Sequence, residues 1–153
     1  MITYRFEDTI ERSADEVWAY AADITRHPEW MGVLDAEVIS GRPTEVGAMG
    51  RETLRFGPWR FVTEFVVSAS EPGRHIAWRV AGGVPFTGEG RLELEPIGST
   101  RTRAVYSGAF RLKGLWRLLE PLVAREARAS EAAELQRLKR VLESARGAVP
   151  ATA

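Results

Sequence analysis

Residues 2–11 alternate, with Ile2, Tyr4, Phe6 and Ile10 on one side and Thr3, Arg5, Glu7 and Thr9 on the other. That period of two predicts a half-buried strand. Ser13-Ala-Asp-Glu16 follows as a capping box, in which the serine and glutamate side chains each satisfy a free backbone N–H of the other. Val17, Trp18, Ala21 and Ile24 then fall at helical spacing, and a short second helix or turn is expected over residues 28–31.

From Val33 to Phe110 the pattern is strand, turn, strand. Gly57-Pro58 makes a two-residue loop with glycine first, and pairing Phe56 with Trp59 sets Leu54 opposite Phe61 and Glu52 opposite Thr63. Around Pro72-Gly73, pairing Glu71 with Arg74 sets Val67 beside Trp78 and Phe65 beside Val80. A last hairpin centred on Gly98 puts Glu95/Arg101 and Glu93/Arg103 outside, with Leu94/Thr102, Leu92/Ala104 and Gly90/Tyr106 inside. One apolar and one charged face is what a sheet solvated on one side requires. The expected inner face carries Leu54, Phe61, Phe65, Val67, Trp78, Leu92 and Leu94.

After Leu112 the period becomes helical up to about Arg146. Leu115, Leu119, Leu122 and Val123 begin an apolar stripe that Leu135, Leu138, Val141 and Leu142 complete. Pro121 belongs at a kink or in a first turn, where its missing N–H costs nothing. Gly147 is expected to end the helix, leaving 147–153 as a disordered tail. The whole predicts an α+β domain over 1–146: a curved antiparallel sheet of six to seven strands around a long C-terminal helix, with two short helices after the first strand.

Composition narrows the function classes. The 153 residues are 44% hydrophobic, and 21 Lys+Arg balance 21 Asp+Glu, so no basic surplus points to nucleic acid. Absence of cysteine removes disulfides, thiolate nucleophiles and cysteine metal sites. No apolar run has the length of a signal sequence or a spanning helix, so a cytoplasmic protein without stable membrane insertion is expected.

Several segments carry a resemblance. Ser13-Ala-Asp-Glu-Val-Trp18, Asp23 with His27-Pro-Glu-Trp30, and Val46-Gly47 are similar to the opening landmarks of the polyketide cyclase/dehydrase family of the START-like superfamily. Glu71-Pro-Gly-Arg74, Gly98-Ser-Thr100 and Arg137-Leu-Lys-Arg-Val-Leu-Glu143 resemble its later ones, so the match runs from about residue 2 to 144. The resemblance implies a helix-grip fold with a cavity between sheet and helix. It also implies a ligand among lipids, polyketides and other apolar molecules, with aromatase/cyclase activity in some members. It carries over no catalytic residue.

The residues themselves suggest unfilled space. Gly88 and Gly90 fall on the inward face, and Ala124, Ala127, Ala129, Ala132 and Ala133 occupy the middle of the last helix. A void there would be lined by Phe61, Phe65, Trp78, Tyr106 and Phe110, with Thr63 and Thr102 as polar contacts. Alternatively, the glycines receive Trp78 and Tyr106 from neighbouring strands, and the alanines simply favour helix. Glu52, placed inward opposite Thr63, is the candidate acid or base, because apolar walls destabilise a carboxylate. The competing reading puts Glu52 at a wet rim or neutralises it with Arg51 or Arg55. Tyr106 is a candidate donor to a ligand carbonyl, although a buried tyrosine usually bonds to the protein. His27 and His75 read as surface or local-packing residues.

No zinc-ligand set, Gly-x-Ser-x-Gly elbow or phosphate loop occurs, and Gly88-Glu-Gly-Arg-Leu-Glu93 is an incomplete dinucleotide fingerprint inside a strand, so neither cofactor nor metal is expected. Three functions compete: binding or transport of a small hydrophobic molecule, an aromatase/cyclase or dehydratase reaction, and a protein-interaction module with a vestigial cavity. The last predicts a filled core and an exposed apolar patch.

Overall fold

The computed structural model describes the backbone of residues 1–148 and the side chains of residues 1–144. Strand β1 (Ile2–Ile10) leads into helix α1 (Ala14–Ala21), a 3₁₀ turn (Ile24–Arg26) and the single-turn helix α2 (His27–Trp30). Six strands follow: β2 (Val33–Ser40), β3 (Met49–Phe56), β4 (Trp59–Glu71), β5 (His75–Gly82), β6 (Phe86–Ile97) and β7 (Arg101–Leu112). A 3₁₀ segment (Gly114–Leu119) then enters the 29-residue helix α3 (Glu120–Ala148).

The seven strands form one antiparallel sheet in the order β1-β7-β6-β5-β4-β3-β2, gripping α3 as the sequence pattern requires. The expected capping box starts α1: the Glu16 N–H donates to Ser13 Oγ, and the Ser13 N–H donates to the Glu16 carboxylate. Phe65, Val67, Trp78, Leu92 and Leu94 are buried on the inner face, joined by Leu135, Leu138 and Leu142 of α3. Leu54 and Phe61 share that face but are half-buried.

The β3–β4 hairpin has the expected register, Glu52 opposite Thr63 and Leu54 opposite Phe61, with Gly57 at a φ of 57°. In β4–β5 the pairs Val67/Trp78 and Phe65/Val80 also hold, but Glu71 pairs with His75 instead of Arg74. A bulge between Val67 and Ala69 absorbs the extra residue, so an error at the tip never reached the core pairs. The last hairpin departs from expectation by two residues. Its loop is Gly98-Ser-Thr100, with Ile97 opposite Arg101 and Gly98 at a φ of 72°, so Leu92 faces Tyr106, Leu94 faces Ala104 and Gly90 faces Gly108. A shift of two keeps every side chain on its face, which is why the inner and outer sets survive while the partners change. Arg103 pairs with Glu95, and Arg101 with Glu11.

The C-terminal helix corrects the expected stripe. Pro121 sits in the first turn of α3, but Leu115 and Leu122 are 84% and 76% exposed, and Leu119 also faces outward. Only the later half of the stripe is core. α3 continues through Ala148, past Gly147, and residues 149–153 of the expected tail lie outside the described residues. Among the described residues no helix is long and apolar enough to cross a membrane.

Candidate functional site

α3 lies against β1, β7 and α2. Two contacts tie α2 and the turn after it to α3: Arg137 Nε donates to the Trp30 carbonyl at 2.9 Å, and the Gly32 N–H donates to Glu134 Oε1 at 2.9 Å. The concave face of β3 to β6 is therefore spanned without being filled, and a cavity of about 210 Å³ remains between sheet and helix.

Its lining includes eight of the candidate site residues singled out in the sequence: Glu52, Thr63, Phe65, Trp78, Gly88, Gly90, Tyr106 and Phe110. Phe61 stands outside the lining. The alanines of α3 do not line it either; the helix reaches the cavity through Glu131 and Glu134. Gly90 faces Trp78 on one side and Gly108 on the other, and the Tyr4 hydroxyl stands 3.2 Å from where a Cβ on Gly90 would be. The notch made by these glycines thus receives a tyrosine from β1, not Tyr106. Thr63 donates to the Gly82 carbonyl at 3.3 Å, and Thr102 to the Arg12 carbonyl at 2.7 Å outside the cavity.

The walls differ along the sheet. Thr63, Phe65, Trp78 and Tyr106 are at most 6% exposed, whereas Leu54, Val80, Phe86 and Phe110 are only half-buried. The first set forms a deep end and the second an apolar mouth.

Two polar clusters line the cavity. In the first, His27 of α2 and Glu52 of β3 are both buried, with Nδ1 and Oε1 2.5 Å apart. The imidazole stacks on Phe65 at 5.8 Å and meets Trp30 and Trp78 edge-on, and its Nε2 has no hydrogen-bond partner. Glu52 is thus at neither a wet rim nor an arginine: Arg51 pairs with Glu37 and Glu64, and Arg55 donates to the Gly57 carbonyl. His27, read from the sequence as a surface or local-packing residue, is buried and is the partner of Glu52. His75 lies half-buried near Glu71.

The second cluster was not anticipated. The Tyr106 hydroxyl donates to Glu134 Oε2 at 2.8 Å, so the candidate donor is already bonded to the protein. Glu131 lies three residues earlier on α3, and the Tyr4 and Tyr106 rings stand 5.3 Å apart. Burial, with the neighbouring Glu134 charge, pushes the Glu131 carboxyl up to about 8, while hydrogen bonds from Tyr106 and Tyr4 act in the opposite direction. Burial also raises Glu134, against the Gly32 N–H and Tyr106 hydroxyl that favour its anion. Both tyrosine hydroxyls are raised by burial. Two glutamates three apart among the alanines of α3 were the available sequence signal. Among the described residues, no cluster of three or more His, Asp or Glu is arranged to hold a metal.

Comparison with known proteins then decides the family. Residues 1–143 match the family described as polyketide cyclase / dehydrase and lipid transport. The chain belongs to the polyketide cyclase/dehydrase family. No curated protein matches it. A START superfamily protein from Mycobacterium smegmatis superposes with a TM-score of 0.80 at 17% identity, covering 94% of this chain and 99% of the other. The Zhui aromatase/cyclase from a Streptomyces strain gives 0.77 at 18% identity, covering 98% and 97%. At such identities these neighbours establish the shared fold of the polyketide cyclase/dehydrase chain and nothing further about its chemistry.

Proposed function

We propose that this polyketide cyclase/dehydrase family member binds, and in the cell carries, a small hydrophobic molecule in the cavity beneath α3. The observation that carries the reading is the cavity itself, with Leu54, Val80, Phe86 and Phe110 as an apolar mouth and the two polar clusters lining it. Size restricts the ligand. An apolar cavity of about 150 Å³ holds benzene, so about 210 Å³ suits a compact one- or two-ring molecule or a short acyl segment, not an entire two-chain lipid.

A second reading, an aromatase/cyclase or dehydratase reaction on a polyketide-like substrate, draws on one feature. Glu131, held up to about 8, exchanges its proton close to neutral pH, where general acid–base groups work best. The fold shared with an aromatase/cyclase agrees with this reading.

Native mass spectrometry of the purified protein, with an environment-sensitive hydrophobic dye as competitor, tests the binding reading. The expected result is a retained compound, or dye binding that Leu54→Trp abolishes by filling the mouth. Overpacking costs about 1–3 kcal/mol, so a melting curve accompanies the variant. A folded Leu54→Trp protein that binds dye with unchanged affinity would remove the cavity from consideration.

A further inference from the structure

The sheet's topology brings separate stretches of sequence to one end. β3, β5 and β7 finish there, while β1, β2, β4 and β6 start there, and the 3₁₀ segment after β7 continues from it. The exposed large apolar side chains gather at this end. Phe56 and Trp59 occupy the β3–β4 tip, and Leu115, Trp116, Leu118 and Leu122 follow β7, with exposures of 46% to 84%. Among the described residues, only Ile39, Val46 and Ile97 of this kind lie elsewhere. The half-buried cavity walls Leu54, Val80, Phe86 and Phe110 lie toward the same end of their strands, so the mouth is at the end of the sheet that carries the exposed side chains, although none of those exposed residues lines the cavity itself.

Charge there is uneven although the chain is balanced. Residues 33–35, 54–62, 80–88 and 110–122 contain Arg55, Arg60, Arg111, Lys113 and Arg117 against Asp35 and Glu120, five cations less two acids, a surplus of three. Among the described residues Arg55, Arg60, Lys113 and Arg117 are in no ion pair, whereas Arg51, Arg91 and Arg103 on the strands are paired. Glu120 is held by the N-terminal ammonium at 2.8 Å and by the Leu112 N–H at 2.9 Å. No described segment folds back over this end. α3 runs away from it, placing Leu142 and Glu143 against Arg12 and Glu11 at the far end of β1.

We propose that this end of the molecule docks peripherally on an anionic lipid surface, with the cavity mouth facing the bilayer. Exposed leucines and tryptophans on the same segments as unpaired cations are the composition of an interfacial surface, whose apolar side chains enter the acyl boundary while the cations meet phosphate headgroups. A second copy of the chain is disfavoured, because the same positive surplus would face itself. The apolar residues stand on two segments far apart in sequence, the β3–β4 tip and the stretch after β7, rather than along one continuous element of the kind that seats a peptide. The proposal rests on the ligand reading only for the purpose of docking, since a bilayer is an apolar source or sink for the cavity's contents.

The test is co-sedimentation of the full chain with unilamellar vesicles of phosphatidylcholine alone or with about one-third phosphatidylglycerol, at low and physiological salt. Binding is expected to the anionic vesicles, weakening as salt rises. Leu118→Glu with Leu122→Glu, both at exposed positions, is expected to lower bound protein about tenfold or more without shifting the melting temperature. Equal recovery with and without anionic vesicles would overturn the proposal. So would a stable dimer in light scattering that the double variant dissociates, which would assign this face to a second copy. A monomer captured by an acidic protein but by no vesicle would likewise refute it. Dye binding by the free protein in buffer reports on the cavity separately, so loss of docking with dye binding intact leaves the ligand reading standing.

Discussion

His27 Nδ1 and Glu52 Oε1, 25 positions apart in the chain, meet at 2.5 Å inside the core and tie α2 to the middle of β3. Both side chains are buried, so the contact is also the condition on which two polar groups can remain there. Glu52→Gln keeps an acceptor for the imidazole N–H, and its melting behaviour is expected to stay within about 1 kcal/mol of the parent. Glu52→Ala strands Nδ1 and is expected to cost about 1–3 kcal/mol in urea unfolding.

The same substitution separates carrier from catalyst. A carrier retains its ligand affinity in Glu52→Gln, because shape and hydrogen bonding are preserved. An enzyme that uses Glu52 as acid or base binds as before but loses about 100-fold or more in turnover. Retained affinity with no candidate compound transformed is the expected outcome. Turnover that survives the change would exclude Glu52 as the proton-transfer group and move attention to Glu131.

Glu131 makes stability depend on pH. Its carboxyl lies near 8 in the folded chain against 4.5 ordinarily, so the folded state binds the proton more tightly. Its contribution is complete below about pH 4.5, declines as the unfolded chain ionises, and is fully lost once pH passes about 8. Glu134 shifts in the same direction. Glu131→Gln is expected to flatten the slope of stability between these two values. An unchanged pH profile from chemical denaturation would contradict the burial assigned to this carboxyl.

The two halves of the C-terminal leucine stripe are expected to behave oppositely. Leu138 is fully buried, and Leu138→Ala should destabilise by about 2–5 kcal/mol. Leu122→Ala, at a site 76% exposed, should fall within about 0.5 kcal/mol of the parent. Similar losses at both positions would mean that the start of α3 is covered in solution.

Local chemistry and alternation were enough to define the elements. Ser13 and Glu16 announce their own cap, Gly57-Pro58 fixes its own hairpin, and the period of two assigns Phe65, Val67 and Trp78 to one face whatever their partners. The inward position of Glu52 followed from the same rule. Register at Gly98 did not, because loops differing by two in register leave the hydrophobic pattern intact, and only packing across β6 and β7 selects between them. Nor could periodicity reveal that Leu115 and Leu122 face outward, since it reports a face without saying what covers it. The partners of the site were equally hidden. Glu52 meets His27, and Tyr106 meets Glu134, across 25 and 28 positions, and such encounters depend on how α2 and α3 seat on the sheet. The sequence determined which side chains face inward; the tertiary structure decided which of them meet, because meeting requires long-range closure that no local pattern encodes.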